Sequence, residues 1–143
     1  MNEAKAPGWH RPLAIGFLAW NLLGAYACFQ QLELTAGKTR LSDPYEQTLY
    51  TQLPFIYDMF FLAAEITGLT GAALLAVPKS AARLWFLASL LFITLQFGFL
   101  FATTELLAAQ GPRAILFPLL VFGIGVIQVW AASATEARVP KGR

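Results

Sequence analysis

Two carboxylates seven residues apart, Asp58 and Glu65, lie inside an apolar stretch that runs from Leu53 to Val77. Seven steps of about 100° nearly complete two helical turns, so in a helix both acids share one face. A charged side chain at the middle of a membrane span costs roughly 2.5–3.5 kcal/mol on insertion scales, and acids retained there can bind a cation or relay a proton during transport. A protonated acid can instead tie helices together, through hydrogen bonds worth about 0.6–2 kcal/mol each. No Lys or Arg lies near the middle of the stretch, so Glu65 is expected to be protonated and neutral. Asp58, nearer one end, is expected to be the acid that reaches water.

These acids need partners, and the surrounding elements decide which. Four runs exceed the ~20 residues a helix needs to cross the hydrocarbon core: about 13–34, 53–77, 84–107 and 114–134. Pro7 and Pro12 precede the first, Pro54 opens the second and Pro78 closes it, and Gly111-Pro112 separates the last two. Ala25-Tyr26-Ala27 followed by Cys28 resembles a processing site, but the apolar run continues past it, so an intact span is expected. Short connections predict an all-α membrane protein, an antiparallel up-down four-helix transmembrane bundle. Alignment by depth brings Asn21, Glu65 and Gln96 to the middle. Cys28, Asp58 and Thr103 lie one heptad outward, and Ala14, Ala72 and Ser89 one heptad inward, with Gln128 near that inner level. A seven-residue stripe stays on the axis of a left-handed bundle. The predicted proton, cation or solute site is therefore Glu65, Asp58, Asn21 and Gln96, with the Asn21 and Gln96 amides hydrogen-bonded to Glu65.

Charge gives the orientation. Lys5, Arg11, Lys79, Arg83, Arg138, Lys141 and Arg143 fall on one side, against Lys38, Arg40 and Arg113 on the other. The positive-inside rule then predicts both termini in the cytoplasm, with tails 1–12 and 135–143, and Trp9, Trp85 and Trp130 near the inner interface. In the first outer loop, Asp43-Pro44-Tyr45-Glu46 has the pattern of a capping box and predicts a short amphipathic helix from Pro44 to about Gln52. Ala64, Gly68, Ala72 and Ala76 form a small-residue ridge for close helix approach, within the bundle or between protomers. Gly123 and Gly125 offer a similar patch on the fourth span, which Pro118 is expected to kink.

Composition narrows the classes. Of 143 residues, 57 % are hydrophobic and 13 % charged, about half the usual ~25 % charged share. A net charge of +2 with basic residues at segment ends argues against nucleic acid. The lone Cys28 and the lone His10, the latter placed in the leading tail, leave no multi-cysteine or histidine-based metal site. No cofactor is expected, and no enzymatic activity, since a lipid-modifying site would need Asp58, Tyr57 and Arg40 to converge. The expected partners are the bilayer and either a homo-oligomer or a larger membrane complex. Expected functions are a small proton- or cation-coupled transporter or channel-like protein, or a non-catalytic accessory subunit.

Trp9-His10, Trp20-Asn21, Gly24-Ala25, Pro44-Tyr45-Glu46-Gln47, Pro54, Gly68, Gly71, Leu74-Leu75 and Ser89-Leu90 carry a further signal. Over its first two-thirds the chain resembles an uncharacterised family of short four-span bacterial inner-membrane proteins, often labelled automatically as sugar transporters. The resemblance implies a four-helix protein of the bacterial inner membrane. Asn21 is among its matching positions; Asp58 and Glu65 are not.

Overall fold

The computed structural model describes residues 8–77 and 81–138. Among them are six helices and no strand: α1 (His10–Thr35), α2 (Pro44–Gln52), α3 (Phe55–Ala76), α4 (Ala82–Thr103), α5 (Leu106–Gln110) and α6 (Arg113–Glu136). Helices α1, α3, α4 and α6 are long and apolar enough to cross a membrane. They match the four predicted spans, and they are compatible with a multi-pass integral membrane protein. Pro7, Pro78, Lys5, Lys79, Lys141 and Arg143 lie outside the described residues.

The long helices pack in the order α1, α3, α4, α6, with a smaller contact between α1 and α6. Their outer faces are oily: Ile15, Phe55, Leu84 and Leu116 expose 66–70 % of their surface. The buried stripe of α1 includes His10, Ala14, Phe17, Asn21 and Cys28, spaced by three, four and seven residues as a bundle seam requires. Asn21, Asp58, Ser89, Gln96 and Gln128 are all buried. This inside-out pattern is the reverse of a soluble bundle.

Two apolar clusters close the ends. Ala14, Phe17, Ala72, Leu75, Phe86 and Ala131 bring all four long helices together at one end, where Trp9 stacks on Trp130 with ring centroids 5.9 Å apart. His10, expected in the tail, is instead the first residue of α1 and 2 % exposed. Its Nε2–H donates to the Leu75 carbonyl at 2.6 Å, satisfying one of the acceptors that the last turn of α3 leaves free. At the other end Leu53, Tyr57, Leu100 and Leu106 form the second cluster, flanked by Leu49 and Tyr50 of α2. Burial pushes the Tyr50 phenol up from its ordinary pKa, and neighbouring Glu46 adds to the shift.

Helix ends follow local chemistry. Helix α1 stops in a Schellman turn: Gly37 N–H donates to Leu34 O at 3.0 Å and Lys38 N–H to Glu33 O at 2.9 Å. Gly37 takes φ +73°, a conformation that a Cβ disfavours. Helix α2 begins as predicted, with the Asp43 carboxylate accepting from Glu46 N–H at 2.9 Å. The predicted capping box is only half used. Glu46 turns its Oε1 to Gln110 Nε2–H at 3.0 Å, and so links α2 to the end of α5.

The third span differs from its predicted limits. Helix α4 ends at Thr103, and Leu106 and Leu107 belong to the separate α5. Thr103 and Thr104 donate their hydroxyls to the Phe99 and Leu100 carbonyls at 2.8 and 2.7 Å, and Thr104 is extended. Thr103, predicted on the inner stripe, is consequently exposed, and Leu100 fills the core position there.

Candidate functional site

The α1–α3 seam is built from two reciprocal steps. On α1 the residues are Asn21 and Gly24, and on α3 they are Glu65 and Gly68; each pair is one turn apart. The Glu65 carboxylate covers the bare Cα of Gly24: a Cβ built there would fall 2.6 Å from Oε1 and 2.7 Å from Cδ. The Asn21 amide oxygen covers Gly68 in the same way, with Ser89 Oγ 3.1 Å from the corresponding Cβ position. Each polar side chain thus needs the glycine opposite it. The ridge Ala64–Gly68–Ala72 is buried inside the bundle, which settles its use as intramolecular; Ala76 lies exposed beyond it.

The hydrogen bonds differ from those predicted. Asn21 Nδ2–H donates to the Phe17 carbonyl at 2.7 Å, and Gln96 Nε2–H to the Tyr57 hydroxyl at 3.3 Å. Neither amide turns to Glu65. Ser89, placed by sequence one heptad inward, lies at the centre instead, its hydroxyl donating to Ala64 O at 2.9 Å. Helix α4 is displaced along α3 by more than a turn relative to the predicted alignment. The span boundary accounts for part of this: counting residues of α5 into the third span moved its apparent centre toward the C-terminus by about three residues, less than one turn.

Asp58 does not take the environment expected of it. Asp58, expected to reach water, is 2 % exposed and accepts from Gln31 Nε2–H at 3.3 Å. Gln31 extends the same α1 face by one turn beyond Cys28, and sequence reasoning missed it although its spacing from Asn21 and Gly24 marks that face. Glu65 is half-buried, and its carboxylate takes no side-chain hydrogen bond among the described residues. Gln128 is 3 % exposed, and its Nε2 has no partner among them. The structure therefore joins Asn21 and Glu65 along one seam through their glycines, sets Asp58 about two turns away on it, and leaves Gln96 on the α3–α4 seam with Tyr57. No cluster of three metal-ligating side chains occurs among the described residues.

No family model, curated protein or solved structure matches the chain.

Proposed function

We propose that the chain is a multi-pass protein of the bacterial inner membrane that exchanges a proton or small cation at Glu65 in the course of transport. The observation that carries this reading is the Glu65 carboxylate, half-way along an apolar helix, resting on Gly24 without an internal hydrogen-bond donor. Such a group is stable in oil only when protonated or when a cation accompanies it. Exchange between those states is the elementary step of a coupled carrier. Apolar clusters fill both ends of the bundle, and Glu65 is accessible at the α1–α3 seam. A second copy packed against that seam would enclose the path, so the working form is a homo-oligomer.

The arrangement is antiparallel and up-down, with both termini cytoplasmic. Supporting the antiparallel order of α1 and α3, the His10 end of α1 meets the Leu75 end of α3, while Gln31 meets Asp58 at their opposite ends. The resemblance to four-span inner-membrane proteins labelled as sugar transporters agrees with a solute-coupled role. The test is proton flux into liposomes carrying the purified chain, driven by a potassium diffusion potential and read with an internal pH dye. Glu65→Gln should lower flux about a hundredfold, within the range for loss of an acid–base group, while melting as the parent does. Undiminished flux through Glu65→Gln would remove the role.

A second reading, an accessory subunit, rests on a different feature. Between α4 and α6 an apolar groove of about 260 Å³ includes Gly98, Phe97, Pro118 and Phe122, and Gly98 and Gly123 both face open space. Bare glycine faces permit close approach of a partner helix. Native mass spectrometry after mild extraction should then show a second polypeptide; a purely self-assembled species would count against this reading.

A further inference from the structure

Gln128 of α6 is a buried polar side chain that proton exchange at Glu65 does not use. It is 3 % exposed, and its Nε2 has no hydrogen-bond partner among the described residues. Gly125, one turn earlier, is buried against α4, where a Cβ would meet Leu90 and Ile93. Toward the α5 end, Phe97 meets Phe117. Helices α4 and α6 therefore run in opposite directions, and Gln128 falls at the level of Phe86 and Ser89. Ser89 and Asn21 already meet over Gly68: the Ser89 Oγ lies 3.1 Å from where its Cβ would be, and the Asn21 amide oxygen rests on the same spot. Thus α1, α4 and α6 each bring one buried polar side chain to this level, and α3 brings a bare glycine.

Much of the hydrogen-bonding capacity here is already committed. Ser89 donates to Ala64 O at 2.9 Å, and Asn21 donates an N–H to Phe17 O at 2.7 Å. Left over are the Gln128 N–H groups, which need an acceptor, and the Asn21 amide oxygen and Ser89 lone pairs, which need a donor. Among the described residues no charged side chain belongs to this level; the Glu65 carboxylate lies one turn away against Gly24. A bare ion would exchange its hydration for uncharged dipoles alone, which costs far more than burying a neutral polar group. Of the neighbouring long helices, α1 and α6 pack least, so the level is reached most easily from their side.

We propose that this level binds a small neutral molecule through a primary amide group. Its carbonyl accepts from Gln128 Nε2–H, and its N–H donates to the Asn21 amide oxygen or to Ser89 Oγ. As the cargo of a carrier coupled at Glu65, a role that rests on the reading above, the molecule sits one helical turn from the acid.

Acetamide is the probe, with acetate and N,N-dimethylacetamide as its charged and N–H-free counterparts. The full chain in nanodiscs is titrated with each at neutral pH. Binding is read by saturation-transfer NMR on the probe methyl groups, corrected for empty nanodiscs. Acetamide should bind about tenfold or more tightly than either counterpart, the scale of one buried hydrogen bond. Gln128→Met keeps the side-chain length and removes the donor; it should lose about tenfold in acetamide affinity, at a melting temperature no lower than the parent's. Equal binding of the three probes, or an affinity untouched by Gln128→Met, overturns the inference. So does an acetamide signal no greater than that of empty nanodiscs, which leaves the Gln128 amide to water alone. The titration needs no flux, so the two proposals fail separately. Acetamide binding with proton flux undiminished by Glu65→Gln removes the carrier reading and keeps the site; Glu65-dependent flux without acetamide binding removes the site alone.

Discussion

Gly24, Gly68 and Gly71 show how single residues set this seam, and they differ in what a methyl group would meet. At Gly71 a Cβ would fall 2.8 Å from the Phe86 ring, and Phe86 is 1 % exposed with no room to turn. Gly71→Ala should therefore lower stability by about 1–3 kcal/mol, as overpacking does. At Gly24 the obstacle is the far end of the Glu65 side chain, which can swing aside, so Gly24→Ala should cost less, and adding Glu65→Ala should offset it. Thermal melts in detergent check the order, and equal losses at both glycines would contradict it. Gln128 has a buried amide N–H with no partner among the described residues; Gln128→Leu should raise stability by about 1 kcal/mol, since an unsatisfied buried donor costs that much or more. A lower melting temperature would mean the amide is satisfied after all. Which residues are polar and inward was legible from spacing alone, as Asn21 and Cys28 on α1 show. Which of them touch was not, because a carboxylate lodging on a glycine leaves no mark in polarity or periodicity.

Helix ends were the most legible elements where side chains act locally. Asp43 and Pro44 mark the start of α2 within four residues of sequence, and the bond from Glu46 N–H confirms it. Asp43→Ala should destabilise α2 by about 1 kcal/mol, read as faster amide exchange at Tyr45, Glu46 and Gln47; unchanged exchange there would show that packing on Leu53 and Tyr57 holds α2 unaided. The end of α4 was less legible. Leu106 and Leu107 continue the apolar pattern, so hydropathy carries the span through a break that Thr103 and Thr104 make with their hydroxyls. That misjudgement moved the apparent centre of the third span by about three residues, part of the offset that put Gln96 beside Glu65; the rest is how far α4 slides along α3, which hydropathy does not record.

At the scale of the molecule, the number of long apolar helices followed from length and hydropathy, which answer to the bilayer as solvent. The sidedness is a separate matter: among the described residues Arg11, Arg83 and Arg138 mark one end and Lys38, Arg40 and Arg113 the other, so it takes a direct measurement. The proposed orientation is checked with Ser42→Cys, in the loop before α2, and Ala81→Cys, just before α4; both positions are exposed. In intact cells an impermeant maleimide should label the first at once and the second only after permeabilisation. The reverse pattern would invert the topology.

Cys28, the chain's single cysteine, is 3 % exposed on the α1 face one turn from Gly24. A sulfur shut away there stays silent toward reagents while the seam is closed, so introduced labels report without background. The same sulfur becomes a built-in stopwatch: the rate at which a small disulfide reagent reaches it measures how often α1 parts from α3, in the native chain and without any probe added.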